Sequence, residues 1–91
     1  MVIQEITLKN EEGLHARPAT EIAQNASKYL CDIRLEVKEK QYNAKSVIHI
    51  MSAGIKNNTQ ITIICDGMDE KQALTEMIEI FENLNLPQGR S

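Results

Sequence analysis

Tryptophan is absent from this 91-residue chain, and its aromatic side chains are limited to Tyr29, Tyr42 and Phe81. Any core must therefore be aliphatic. The shortage of rings and a net charge of −3 argue against a nucleic-acid surface, which needs a basic field and stacking platforms. Cysteine is also scarce. Cys31 and Cys65 stand far apart and fit neither a CxxC motif nor a zinc pattern, so they are expected to be small core side chains in a reducing cytosol. No apolar run approaches the ~20 residues of a membrane span. The start, "MVIQEITLKN", has neither a basic n-region nor a long apolar h-region, so no signal peptide is expected and a cytoplasmic location is. Internal repeats, low-complexity tracts and linkers are missing too, and the length suits one core.

What remains is regular patterning. Residues 2 to 8 alternate, with Val2, Gln4, Ile6 and Leu8 on one side, as a strand would. Glu11, Glu12 and Gly13 make a turn. From Ala16 to about Ser27, Ala19, Ile22, Ala23 and Ala26 recur at helical spacing, and Pro18 fits only the first turn of such a helix. Ile33, Leu35 and Val37 alternate with Arg34, Glu36 and Lys38 in a half-buried strand. A turn at Glu39–Lys40 is expected to return it through Tyr42 and Ala44. Ser46 opens a brief helix that Gly54 closes. A last strand carries Ile61, Ile63 and Cys65. Asp69, with Gln72 in a capping box, is expected to start a long helix with Ala73, Leu74, Met77, Ile78, Phe81 and Leu84 as its buried stripe. The order β-α-β-β-α-β-α, with singly alternating strands, predicts an α+β open-faced β-sandwich: a four-stranded antiparallel sheet covered on one face by three helices. The domain is expected to span 1–85, with 86–91 a flexible tail.

The chemistry concentrates at "EEGLHARPAT", residues 11 to 20. A helix N-terminus presents unpaired N–H groups and about half a positive charge, a ready seat for an anion. A histidine at its N-cap aims a ring nitrogen along that field. If that nitrogen accepted a phosphoryl group, helix amides and the Arg17 guanidinium would lie within reach of the new phosphate. Phosphoryl transfer needs positioning and charge neutralisation above all, and a neutral imidazole is a competent nucleophile near pH 7. Taken alone, His15 would read as a surface or capping residue. Its company changes that.

"GLHARPAT", followed by "NAKSVIHIMSAG" and "GMDEKQALTEM", resembles the HPr family, the histidine-containing phosphocarriers of the bacterial phosphoenolpyruvate-dependent sugar phosphotransferase system. The resemblance runs from about Val2 to Leu84. It implies that His15 takes a phosphoryl group on Nδ1 from phosphorylated Enzyme I and passes it to sugar-specific enzyme IIA domains. Arg17 would orient and neutralise the phosphate, the amides of Ala16 and Arg17 would complete its seat, and Pro18 would shape the turn. It implies no metal or cofactor for this step, and a monomeric carrier.

Ser46 reads from position alone as a helix N-cap. The resemblance adds a second role: in one branch of the family an ATP-dependent serine kinase/phosphorylase acts on this residue, and the phosphoserine form binds a catabolite repressor. Val47, Ile48 and Met51 lie on a helix too short to bury them all. By resemblance they form a docking patch for Enzyme I, enzyme IIA domains and the kinase, with Thr20, Gln24 and Ser27 of the first helix beside it; Val47 reads equally well as core. Ile50 is expected to pack inward, and His49 is assigned no chemistry. Competing readings are a regulatory HPr-like binding module, a nitrogen-branch phosphocarrier, and an enzyme with a histidine nucleophile. The first is at odds with the retained His15, Arg17 and Pro18. The second is at odds with the Lys45–Ser46 pair, and the third finds no second catalytic constellation.

Overall fold

The structure, a computed structural model, describes residues 1–86. Its elements are β1 (Val2–Thr7), α1 (Ala16–Ala26), β2 (Asp32–Val37), β3 (Lys40–Asn43), α2 (Val47–Ser52), β4 (Gln60–Asp66) and α3 (Glu70–Asn85). All strand pairings are antiparallel, in the sheet order β1-β4-β2-β3. The α+β sandwich expected from the alternation is the fold found. Of the expected tail, Leu86 is the C-cap of α3, and residues 87–91 lie outside the described residues.

Alternation decides which side of the sheet is covered. Ile33, Leu35 and Val37 of β2 and Ile61, Ile63 and Cys65 of β4 are all buried, on the face that the helices cover. The register brings them opposite one another, with Ile33 facing Cys65 and Leu35 facing Ile63. Ala19, Ile22, Ala23 and Ala26 line the inner side of α1, and Ile50 is the buried residue of α2. In α3 the fully covered row is Ala73, Met77, Ile80 and Phe81, while Leu74, Ile78 and Leu84 are only partly buried beside it. The expected stripe was thus rotated slightly, and it missed Ile80. Both cysteines are core residues, and burial pushes the Cys31 thiol up to about 11 and that of Cys65 to about 12. Neither is a nucleophile near neutral pH.

Two local expectations need correction. The β2–β3 turn sits at Lys38 and Glu39, one residue earlier than alternation suggested, because Val37 pairs with Lys40. Both turn residues have positive φ, 52° and 71°, the backbone a two-residue hairpin needs to match strand twist. The second concerns Asp69. It is the N-cap of α3, but its side chain makes no cap hydrogen bond. The carboxylate instead accepts the amides of Leu30 and Cys31, both at 2.9 Å, tying the end of the α1–β2 loop to the start of α3. Glu70 accepts the Gly67 amide at 3.0 Å.

The Leu30 amide, helped by that of Cys31, holds the Asp69 carboxyl below its usual value of 3.8. A depressed folded-state value means that the ionised group stabilises the fold above the unfolded value, and that this contribution is lost as pH falls through the folded one. Asp69→Ala is therefore expected to lower the urea midpoint at neutral pH, and the gap to wild type should close as the pH drops below 3.8. A gap that stays constant with pH would show that the carboxylate's charge is irrelevant to the loop.

Candidate functional site

The loop from Leu8 to Leu14 sets the entry to α1, and it is pinned at several points. Leu8 is buried and exchanges backbone hydrogen bonds with the 58–59 segment. The Asn10 carbonyl accepts the Gly13 amide at 2.9 Å, and its side-chain oxygen accepts the Glu12 amide at 2.9 Å. The Asn10 amide group donates to the Leu84 carbonyl at 3.1 Å. Asn85 accepts the Lys9 amide and donates to Thr7 O, so the C-terminal turn of α3 clamps the loop from below. Gly13 has φ +69, and an added Cβ would fall 2.6 Å from the Ile55 carbonyl oxygen. That same oxygen accepts the Leu14 amide at 3.0 Å. Loop and α2–β4 connection therefore touch backbone to backbone, which only glycine allows here.

This frame delivers His15 as the N-cap of α1, in extended backbone, with no hydrogen bond from its side chain to the helix. Its carbonyl accepts the Ala19 amide at 3.0 Å and so starts the helix. Ala16 and Arg17 supply the first two helical amides, for which the helix itself has no acceptor. Pro18 follows, buried against the core and lacking an N–H. The first turn contains no acidic residue. The His15 side chain is 44% exposed, and its Nε2 lies 3.0 Å from Glu12 Oε1. Among the described residues, no hydrogen bond or ion pair occupies Nδ1 or the Arg17 guanidinium. His15 and Arg17 line one open hollow together with Lys9, Glu12 and Glu21. The site thus joins an imidazole at a helix N-terminus to a guanidinium lining the same hollow.

Ser46 caps α2, as its position suggested: Oγ accepts the His49 amide at 3.1 Å. The approach to it is tightly wound. Asn43 accepts the amides of Lys45 and Ser46, and Lys45 Nζ donates to the Tyr29 carbonyl at 2.7 Å. His49, exposed and without assigned chemistry, closes this turn. Its Nδ1 accepts the Asn43 amide at 2.9 Å, and its ring meets Tyr42 edge-on at 5.2 Å. Gly54 ends α2 at φ +61.

The remaining candidates divide by exposure. Ile48 is 82% and Met51 45% exposed, whereas Val47 is half-buried against the core and Ile50 fully buried. Helices α1 and α2 pack on each other. On α1, Gln24 is exposed; the hydroxyls of Thr20 and Ser27 donate to the carbonyls of Ala16 and Ala23, at 2.7 and 2.8 Å. Sequence reasoning missed Glu12, which it treated as turn filler. A carboxylate three residues before the histidine was the available signal, but only the backbone of the Asn10 turn brings the two side chains together. Among the described residues, no three His, Cys, Asp or Glu side chains converge as metal ligands would. No helix among them is long and apolar enough to cross a membrane.

Residues 2–83 match the family described as the PTS HPr component phosphorylation site. The chain is similar to the histidine-containing phosphocarrier protein of a Mycoplasma, with 38% identity and a TM-score of 0.89, covering 97% of this chain and 100% of that one. It is similar to HPr of Thermoanaerobacter tengcongensis, at 35% identity and a TM-score of 0.90 over 98% and 100% of the two chains. It also resembles Crh, a catabolite repression protein of Bacillus subtilis solved as a swapped dimer, at 34% identity and a TM-score of 0.73 over 96% and 100%.

Proposed function

The chain belongs to the HPr family of phosphotransferase-system phosphocarriers, and on that premise we propose that His15 is the carrier residue, loaded by phosphorylated Enzyme I and unloaded by enzyme IIA domains in the cytoplasm. The observation that carries this reading is an N-cap histidine whose ring does not serve as a cap. An ordinary capping residue bonds the N2 or N3 amide; His15 leaves the first-turn donors open. In the transfer, the Nδ1 lone pair forms the N–P bond as the bond from phosphorus to the donor's leaving atom breaks, and that atom keeps the electron pair. The amides of Ala16 and Arg17 and the Arg17 side chain then meet the phosphoryl oxygens. Pro18 holds the turn. The reaction needs positioning and charge neutralisation, roles given in this reading to the first-turn amides and Arg17.

Incubation with Enzyme I and phosphoenolpyruvate tests this: one acid-labile phosphate per chain is expected, discharged when an enzyme IIA domain is added. A chain that takes up no phosphate contradicts the reading. The likeness to Crh keeps a second reading open, that of a regulatory module acting through phosphoserine. The same assay separates them, since a module without phosphotransfer stays unloaded.

Docking is assigned to the exposed Ile48 and Met51 with the half-buried Val47, flanked by Thr20, Gln24 and Ser27. Ser46 sits at the head of that helix, where a serine kinase/phosphorylase would switch the patch and a catabolite repressor would read it. Ser46→Asp adds negative charge beside apolar contact surface while still capping α2, because a helix N-terminus tolerates an anion. Loading of His15 by Enzyme I is expected to slow by roughly three- to tenfold at low salt, less at high salt as charge is screened, with Tm nearly unchanged. Equal initial rates at low salt would leave Ser46 a plain helix cap.

A further inference from the structure

We propose that Glu12 is a positioning residue for His15, holding the proton on Nε2 so that Nδ1 is the nitrogen left to attack phosphorus; this rests on His15 being the phosphoryl acceptor. The carboxylate oxygen stands 3.0 Å from Nε2. A bare nitrogen lone pair facing an ionised carboxylate at 3.0 Å is repelled by it, which favours the hydrogen on Nε2, and in a neutral imidazole the lone pair then belongs to Nδ1. The arrangement follows the logic by which a carboxylate behind a histidine fixes its tautomer and ring orientation.

The contact is built by the loop. Glu12 is 78% exposed, and an exposed pair on free side chains would contribute little. Here the backbone of Glu12 is anchored by Asn10 Oδ1, Asn10 is anchored to the Leu84 carbonyl, and Gly13 is seated against Ile55. The anchored backbone starts the Glu12 side chain from the Nε2 side of the ring, where its carboxylate is found. As Nδ1 donates its pair to phosphorus, positive charge spreads over the ring towards Nε2–H. The carboxylate offsets it there without taking the proton, which stays on the ring throughout. The same hollow holds Glu11 and Glu21 as well as Arg17 and Lys9, so the incoming phosphoryl anion depends on Arg17 and the first-turn amides to offset the carboxylates.

Two variants separate charge from hydrogen bonding. In Glu12→Gln an uncharged side-chain oxygen can still face Nε2–H; in Glu12→Ala none does. Ring 15N chemical shifts, measured in the unphosphorylated full-length protein at alkaline pH where the ring is neutral, report the tautomer directly. Wild type and Glu12→Gln are expected to show a pyrrole-like Nε2 and a pyridine-like Nδ1, and Glu12→Ala shifts drawn towards the tautomer average. The rate of loading by Enzyme I should fall in the order wild type, Gln, Ala, spanning roughly three- to tenfold, the range a charge-assisted hydrogen bond at an exposed site gives. If Glu12→Ala keeps both the wild-type shifts and the wild-type rate, Glu12 has no such role. A wild-type protein that takes no phosphate would instead overturn the assignment of His15, while the ring shifts would still judge Glu12.

Discussion

Replacing His15 with alanine is expected to abolish Enzyme I-dependent uptake of acid-labile phosphate while leaving the fold intact. Transfer has no substitute acceptor in this account, because the first-turn amides and Arg17 bind phosphate oxygens but provide no nucleophilic nitrogen. His49, the other histidine, is not an alternative: its Nδ1 is occupied by the Asn43 amide. Stability should barely change. The His15 ring is 44% exposed, caps nothing, and touches Glu12 in a contact typical of weak surface pairs. The backbone bond from Ala19 to the residue-15 carbonyl survives the substitution. Thermal unfolding and the loading assay on the same preparation check both halves. A variant that loads at the wild-type rate would remove His15 from the mechanism; one that unfolds would show that the ring was structural.

Gly13→Ala should do the reverse, damaging the fold first. The new Cβ meets the Ile55 carbonyl oxygen at 2.6 Å, a backbone atom that cannot swing aside, and the residue must also hold φ +69. Relief requires moving the segment that accepts the Leu14 amide, and Leu14 is core. Strain and displacement together are expected to cost about 2–4 kcal/mol, a fall in Tm on the order of 10–25 °C for a domain of this size. Gly54→Ala isolates the clash: Gly54 shares the positive φ, but a Cβ there meets nothing within 4 Å. Its loss should be confined to the conformational cost, about 1 kcal/mol. Equal losses for the two variants would mean that close approach to Ile55 contributes nothing. Loading of His15 in surviving Gly13→Ala protein should also slow, since the loop that orients the ring has moved.

The sequence carried the fold well because most strands bury one face only, so alternation and helical spacing report burial directly. It failed where side chains or backbone are shared between distant segments. Asp69 has the residue type of an N-cap, yet Leu30 and Cys31 claim its carboxylate, and no local pattern announces a loop folding back from earlier in the chain. Lys38 and Glu39 are not the glycine or asparagine usual at positive φ, so the hairpin turn was placed one residue late. At the site, the N-cap position of His15 and the first-turn place of Pro18 were legible because helix starts obey local chemistry. The approach of Glu12 to Nε2 was not, since it depends on Asn10 reaching both forward to Glu12 and across to Leu84.

The central claim is that a phosphoryl group is carried on Nδ1 of His15. The direct measurement is heteronuclear NMR of the 15N-labelled protein after loading by Enzyme I and phosphoenolpyruvate. The account predicts phosphorus coupled to the Nδ1 of His15, with the phosphate lost in acid and passed to an added enzyme IIA domain. Phosphorus bonded to Nε2, to His49, or to an acid-stable serine after Enzyme I loading would contradict it.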